Sequence, residues 1–429
     1  MTTPSKPEES KAAQPADEAE YRITDEDIER SARQIDVPEF DRTGSYVNHP
    51  DLSSMSHFAF GYGDDNPLWH DPNYGATTRW RDQIAPPLYY MSVGVNETPK
   101  YDQETKALMR GLFRGVGKYY SGVNWEWYAP LYAGHKVFKH RSKSESEIKH
   151  SSFTNNRTVK ETYRQIWCGA DAGIYAVNYE SYISAERGAS KKTGKYADIK
   201  RQTYTPEDIA EIDKCYAAEQ LRGSQTRYWE DVEIGDTLTP VAKGPLGIVD
   251  IISQHIGFGW GGYGVGPLRY AWKKRQKMPA FYVEDKYGVP DIVQRLHWDE
   301  DRAKDLGLPA PYDYGMMRSC WLSHHVTNWM GDDAWLWKLG TELRGFNFLG
   351  DWHICEGEII DKRRDGDHCI VEASLKATNQ RGTETTNGKA LIILPSREHG
   401  SVILPTPPID LARRATESHC AAAARFGAK

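Results

Sequence analysis

The feature that most constrains this chain is an echo between its two halves. Each half has a loop ending in histidine with an alanine six residues later, His70 and Ala76 in one, His297 and Ala303 in the other. Each then passes through a Pro-rich turn into an apolar, helix-like segment, at 84–91 and again at 309–317. Aromatic, strand-like runs follow at 125–134 and 343–351. Alternating β-branched segments such as 369–375 and 389–394 then predict antiparallel strands. One loop, one core helix and several strands, used twice, is an α+β pattern built by duplication. The units are 21–190 and 228–404, the second carrying an insertion at about 257–290. The polar region 191–227 between them contains Thr205-Pro206-Glu207-Asp208, a capping residue followed by proline at the first helical position, and reads as a linker helix. Residues 1–20, rich in Pro, Glu, Ser, Lys and Ala, predict a disordered tail. Residues 405–429 predict an extended arm ending in a short Ala-rich helix.

Composition removes several functions. The 429 residues include 54 Lys plus Arg against 60 Asp plus Glu, a net charge of −6. That leaves no basic excess for phosphate contacts, so no nucleic-acid partner is expected. No apolar run approaches the ~18 residues of a spanning helix, so no membrane partner is expected. The first residues lack the basic and apolar regions of a signal peptide. Six cysteines are scattered without CxxC or His/Cys metal spacing, which predicts reduced thiols, no metal and a cytoplasmic protein. The 14 tryptophans and 25 tyrosines favour an aromatic core or an extended apolar pocket.

The sharpest local feature is Phe58-Ala-Phe-Gly-Tyr-Gly-Asp-Asp-Asn-Pro-Leu-Trp-His-Asp71. Asp64 and His70 lie six residues apart across the Asn66-Pro67 turn, which can fold the loop back and bring carboxylate and imidazole to one site. Such a pair suits moving a proton to and from a bound water. The plainer alternative is that Asp64 and Asn66 stabilise a turn while His70 caps a helix. Residues 257–266 satisfy GxGxxG at Gly257, Gly259 and Gly262, but further glycines, aromatics and Pro267 follow. No helix starts cleanly there, and a lid or close-packed loop is expected rather than a nucleotide site. The basic segment 269–277 is either a solvated helix face or a clamp for coenzyme A phosphates. His324-His325, without a carboxylate or cysteine at ligand spacing, reads as a packing or polar-contact pair.

Gly63-Asp64-x-Asn66-Pro67-Leu68-x-His70 resembles the Gly-Asp-x-Asn-Pro-x-His signature of the MaoC-like, hydratase 2 family. Asp71-Pro-Asn-Tyr74 and Ile84-Ala-Pro-Pro87 look like the amino-terminal half of double-hotdog members, including fatty-acid-synthase-type dehydratases. The second half resembles a MaoC-like domain in Tyr228-Trp-Glu-Asp-Val-Glu-Ile-Gly-Asp-Thr-Leu238, in His297-Trp-Asp-x-x-x-Ala303-x-x-x-Gly307-x-Pro309, and in Tyr314-Gly315-Met316. The resemblance runs from about Tyr21 to Pro405. It implies two tandem hotdog units, each an antiparallel sheet wrapped around a central helix. It also implies reversible hydration of 2-enoyl-CoA to 3-hydroxyacyl-CoA, on a bulky acyl group if the aromatic content is a guide.

On that resemblance the catalytic candidates are Asp64 and His70 in the first half and Asp291 and His297 in the second. Asn66 and Gly315 are the candidates for holding the substrate oxygen. The departures are specific. The family spaces Asp and His by five residues, whereas Trp69 is inserted here. The glycine whose backbone N–H holds the thioester oxygen corresponds to Pro87 in the first half, which has none, and to Gly315 in the second. No metal or cofactor is expected beyond coenzyme A as part of the substrate. The expected assembly is a homodimer or a complex with another hotdog subunit. A hotdog thioesterase and a non-catalytic acyl-binding subunit are the rival readings.

Overall fold

The computed structural model describes residues 22–39, 45–96, 99–150, 157–186, 196, 199–259 and 266–426. The tail at 1–20, residues 191–195 of the linker region and Gly262 of the glycine run lie outside the described residues.

The strands of the first half are β1 (Pro38–Glu39), β2 (Val95–Asn96), β3 (Gly117–Trp127), β4 (Phe138–His150), β5 (Arg157–Cys168) and β6 (Ile174–Ala185). Those of the second are β7 (Thr237–Lys243), β8 (Tyr282–Glu284), β9 (Pro290–Ile292), β10 (Trp335–Leu343), β11 (His353–Asp365), β12 (His368–Asn379) and β13 (Glu384–Ile393). One sheet joins eleven of them in the order β1-β4-β5-β6-β3-β10-β13-β12-β11-β7, with β2 beside β4, while β8 and β9 form a separate hairpin. Read from either edge the order is the same: a short first strand, then the second, third, fourth and first long strands of the half. This mirror order is the duplication made visible. On β12, Ala373, Leu375 and Ala377 are buried while Ser374 and Lys376 between them are exposed, the period of a sheet with one face in the core.

That face closes on the helix Gly315–Met330. All fourteen of its residues from Met317 to Met330 are buried, as befits a helix enclosed by sheet on several sides. Its start is fixed by Arg318, which donates from Nε and Nη2 to the two Asp313 carboxylate oxygens at 2.7 Å each, and from Nη1 to the carbonyl of Gly345 at 2.6 Å. In the first half, the place of the long helix is taken by a 3-10 segment of five residues, Pro87–Met91. Pro86 and Pro87 remove two N–H groups and hold the chain extended just before it. The helix of the second half touches β3 as well as its own strands, so one helix serves much of the shared core.

Two further helices pair across the halves, Leu52–Gly61 and Ile248–Phe258. Phe58 and Phe258 stack with centroids 4.6 Å apart. A side chain on Gly257 would come within 2.9 Å of Gly61 Cα and 2.7 Å of the His57 carbonyl, so these backbones touch only because both positions are glycine. Gly259 ends its helix with φ +64, a left-handed cap. This helix therefore stops at the glycines, where a dinucleotide fingerprint would have one begin; contrary to the sequence expectation a further helix, Leu268–Lys277, does start after Pro267, and it carries the basic segment 269–277. The linker helix forms at Pro206–Ala217, capped by Thr205 and Asp208.

The seam between the halves is the antiparallel pairing of β3 with β10, Trp125 opposite Leu339 and Gly122 opposite Glu342. A Cβ on Gly122 would stand 2.3 Å from the Thr341 carbonyl oxygen, a backbone atom that cannot swing aside. Gly122→Ala should wedge the seam and lower the unfolding free energy by about 1–3 kcal/mol in urea titration. An unchanged midpoint would mean that the halves do not depend on this register.

Candidate functional site

The Asp64 loop is assembled by short-range hydrogen bonds. The Asp64 carboxylate accepts from the Asn66 backbone N–H at 3.1 Å, and Asn66 Oδ1 accepts from the Leu68 N–H at 3.0 Å. These two Asx turns lead into the 3-10 segment Pro67–Trp69. Two more donors reach the Asp64 carboxylate, the Tyr62 hydroxyl and Trp69 Nε1–H, both at 3.1 Å. Trp69 stands five residues after Asp64, the spacing that the family motif gives to histidine. The indole has taken the carboxylate, and His70 is pushed one position further on. His70 Nε2 instead meets the backbone carbonyl of Asp64 at 2.7 Å. A carbonyl only accepts, so Nε2 carries the proton and the lone pair of neutral His70 is on Nδ1. The turn thus brings the two sequence candidates to one place without joining carboxylate to imidazole.

The imidazole that does approach the Asp64 carboxylate is His324, from the central helix of the second half, with Nε2 3.8 Å from Oδ1. His324 Nδ1 lies 2.7 Å from Lys243 Nζ, and its Nε2 lies 2.9 Å from the Asn328 side-chain amide. An ammonium only donates, so Nδ1 accepts and Nε2 bears the proton. As placed, Asn328 turns Nδ2 to this nitrogen; the Nε2–H tautomer requires the amide turned over, which would also give Oδ1, without a partner among the described residues, a donor. Lys243, at the end of β7, also reaches toward the Tyr62 and Gly63 carbonyls at 3.4 and 3.5 Å. Burial raises the pKa of Asp64, offset in part by these donors and by the positive charge of Lys243. Burial depresses Lys243 and drives His324 well below the ordinary histidine range. Sequence reading missed Lys243 and the contact of His324 with Asp64, because the partners are 181 and 260 residues from the loop they meet. No local pattern carries such a signal.

Beside the loop lies an apolar cleft between the halves. Asn66 and Trp69 border it on one side, Trp80 and Trp127 form walls, and Met330 and Trp335 close it from the second half. The tryptophan N–H groups are turned away to carbonyls: Trp127 to Pro87 at 2.7 Å, Trp80 to Asp332 at 2.8 Å and Trp335 to Trp127 at 2.9 Å. What remains toward the cleft is largely ring face, a lining suited to an apolar ligand.

The second-half candidates are arranged otherwise. Asp291 is on β9, its carboxylate accepting from the next residue's N–H at 2.7 Å, and no ion pair joins it to His297 among the described residues. His297 Nδ1 meets the Tyr312 carbonyl at 2.7 Å, and its ring lies 3.9 Å from that of Tyr314. Tyr314 in turn bonds His255 Nε2. Gly315, directly after Tyr314, is the first residue of the buried helix, where backbone N–H groups have no intrahelical acceptor. A side chain there would strike Leu343 at 2.5 Å and Tyr120 of the first half at 2.9 Å. Of the pair expected in this half, His297 stands beside the helix start and Asp291 does not pair with it.

No protein-family model and no curated protein matches this chain. Among solved structures, a MaoC-like dehydratase superposes with a TM-score of 0.53, covering 84% of this chain and 96% of its own at 14% identity. A MaoC-like dehydratase from Phytophthora capsici gives 0.44 at 10% identity, covering 82% and 94%. A Mycobacterium tuberculosis protein described as a double hotdog fold gives 0.43 at 10% identity, covering 81% and 93%. The first likeness and the mirrored strand order define the class: this is a double-hotdog protein with the fold of a MaoC-like dehydratase. No helix among the described residues is long and apolar enough to cross a membrane.

The buried histidines make a pH prediction. Burial lowers His255, His297 and His325 to about 4 and His353 to about 3. Each is neutral in the fold and would take a proton on unfolding below its ordinary value of 6.5. Their contribution is therefore full above pH 6.5 and lost as pH falls toward 4, at up to about 1.4 kcal/mol per pH unit per histidine. Urea midpoints should fall steeply across that window, and His297→Gln should flatten the slope. A slope unaltered by that substitution would contradict the burial of a neutral imidazole there.

Proposed function

We propose that this protein reversibly hydrates 2-enoyl thioesters of coenzyme A to 3-hydroxyacyl thioesters, in the aromatic cleft beside Asp64. The observation that carries the reading is a carboxylate raised by burial, set in a Gly-Asp-x-Asn-Pro loop that borders an apolar cleft. A carboxyl tuned upward suits a group that must gain and lose a proton near neutrality. In the hydration direction, His70 Nδ1 accepts a proton from water as the oxygen attacks C3. The C2–C3 π electrons pass toward the thioester oxygen, and C2 takes a proton from the acid form of Asp64. Asn66, with Oδ1 engaged by Leu68, offers its amide N–H to the developing enolate oxygen in the half where Pro87 has none. The tryptophan walls favour a bulky acyl group, and coenzyme A enters as part of the substrate.

One specific observation favours a second reading, that of an acyl-binding subunit working with an active hotdog partner: Trp69 holds the carboxylate where the family places histidine. Enoyl-CoA absorbance separates the two. Under the first reading the purified protein consumes the conjugated enoyl group, and Asp64→Asn or His70→Ala reduces kcat by about 10²–10⁴-fold. Tight acyl-CoA binding without turnover establishes the second reading, and free thiol release would instead identify a thioesterase. A second experiment addresses Asp64 itself. Because Lys243 holds its pKa down, Lys243→Met should move the pH limit set by Asp64 upward. A rate profile identical to wild type would show that Asp64 is not the titrating group.

A further inference from the structure

Far from the cleft in sequence, β4 and β5 meet the helix Ile409–Phe426. Cys168 lies directly opposite Phe138 and His140 opposite Ile166 in the β4–β5 register. Opposed residues, and residues two apart along a strand, share a face, so Phe138, His140, Ile166 and Cys168 all face one way. The helix brings Leu411, Ala415 and His419, at i, i+4 and i+8 on a single stripe. Leu411 and Ala415 pack into a buried cluster with Tyr128, Ile166 and Val177. His419 is set edge-on to Phe138 at 4.7 Å between ring centroids, and its centroid is 6.0 Å from that of His140.

The outcome is three ligand-type side chains at one point. A ring nitrogen from each histidine and the Cys168 sulfur lie within 4.8 Å of one another. His140 Nε2 and His419 Nδ1 are buried with no hydrogen-bond partner among the described residues. Both imidazoles that meet this thiol thus carry a buried nitrogen that contacts among the described residues do not account for. The thiol has one proton, so it could satisfy only one of them. A metal ion satisfies all three.

We propose that His140, Cys168 and His419 bind a zinc ion that fastens the C-terminal helix to the first-half sheet, with water as the fourth ligand. Two nitrogens and a sulfur suit zinc and exclude hard cations such as Mg²⁺ and Ca²⁺, which take oxygen. Zn–N bonds of about 2.0–2.1 Å and Zn–S of about 2.3 Å set tetrahedral ligand atoms about 3.3–3.7 Å apart, so the trio draws in by about an ångström on binding. The Cys168 thiol loses its proton as the Zn–S bond forms, one proton released per ion. Burial and the nearby Asp171 push that thiol up to about 12, so zinc must displace the proton. The three ligands are scattered over the chain, which is why spacing rules read no metal.

The test uses the full chain, stripped with a chelator and titrated with zinc alone against a chromophoric competitor. The proposal requires one equivalent bound, lost in Cys168→Ser and in His419→Gln. Cobalt substitution should give a thiolate charge-transfer band that Cys168→Ser lacks. Zinc should slow amide exchange in residues 409–426 of the wild type and leave His419→Gln unchanged. If Cys168→Ser does not fold, His419→Gln, on the last helix of the chain, decides alone. Absence of stoichiometric zinc, equal binding by the variants, or copper(I) held in preference to zinc would overturn the assignment.

Discussion

The structure depends on keeping one carboxylate out of water. Asp64 is 2% exposed, and an isolated carboxylate in such a place would be too costly to keep. Three hydrogen bonds from its own loop and the charge of Lys243 offset the cost without removing it. Two of those donors come from the first half's loop side chains and one from its backbone, while the lysine and its histidine relay come from β7 and the central helix of the second half. Neither half alone completes the environment of this group. The duplication is therefore electrostatic as well as architectural: the second unit supplies the charge that stands beside the first unit's loop.

The two halves have diverged along different lines. The first keeps the acid loop but has given up the long helix and the N–H that such a helix start would provide. The second keeps the helix and Gly315, but its imidazole at 297 bonds a carbonyl and its acid at 291 accepts from the N–H of Ile292. The pairing of β3 with β10 makes this division workable, since a continuous sheet carries a loop from one unit onto the core of the other. The aromatic cleft lies at the same junction, and its walls come from both units.

Much of the fold was legible because duplication repeats its signals. The His–Ala spacing, the Pro turns and the β-branched runs each occur twice, and a repeated weak pattern is stronger than a single one. The apolar content of 84–91 predicts a helix, but content does not report length, and Pro86-Pro87 with the borrowed second-half helix reduce it to five residues of 3-10 structure. At the site, Asp64, Asn66 and the turn were visible because their bonds span two residues. The inserted Trp69 was visible as a departure, but its capture of the carboxylate depends on where an indole points. Lys243 carries no local signal, and the sequence marks His324-His325 as a polar-contact pair without naming the partner, Asp64. Both act through contacts that exist only after the halves close.

The measurement that bears most directly on this account is the titration of the Asp64 carboxyl itself, followed by isotope-edited carboxylate NMR with Asp64→Asn to assign the resonance. The account predicts a midpoint clearly above the ordinary aspartate value of 3.8, moving higher when Lys243 is replaced by methionine. A carboxyl that titrates at or below the ordinary value, indifferent to Lys243, would contradict it.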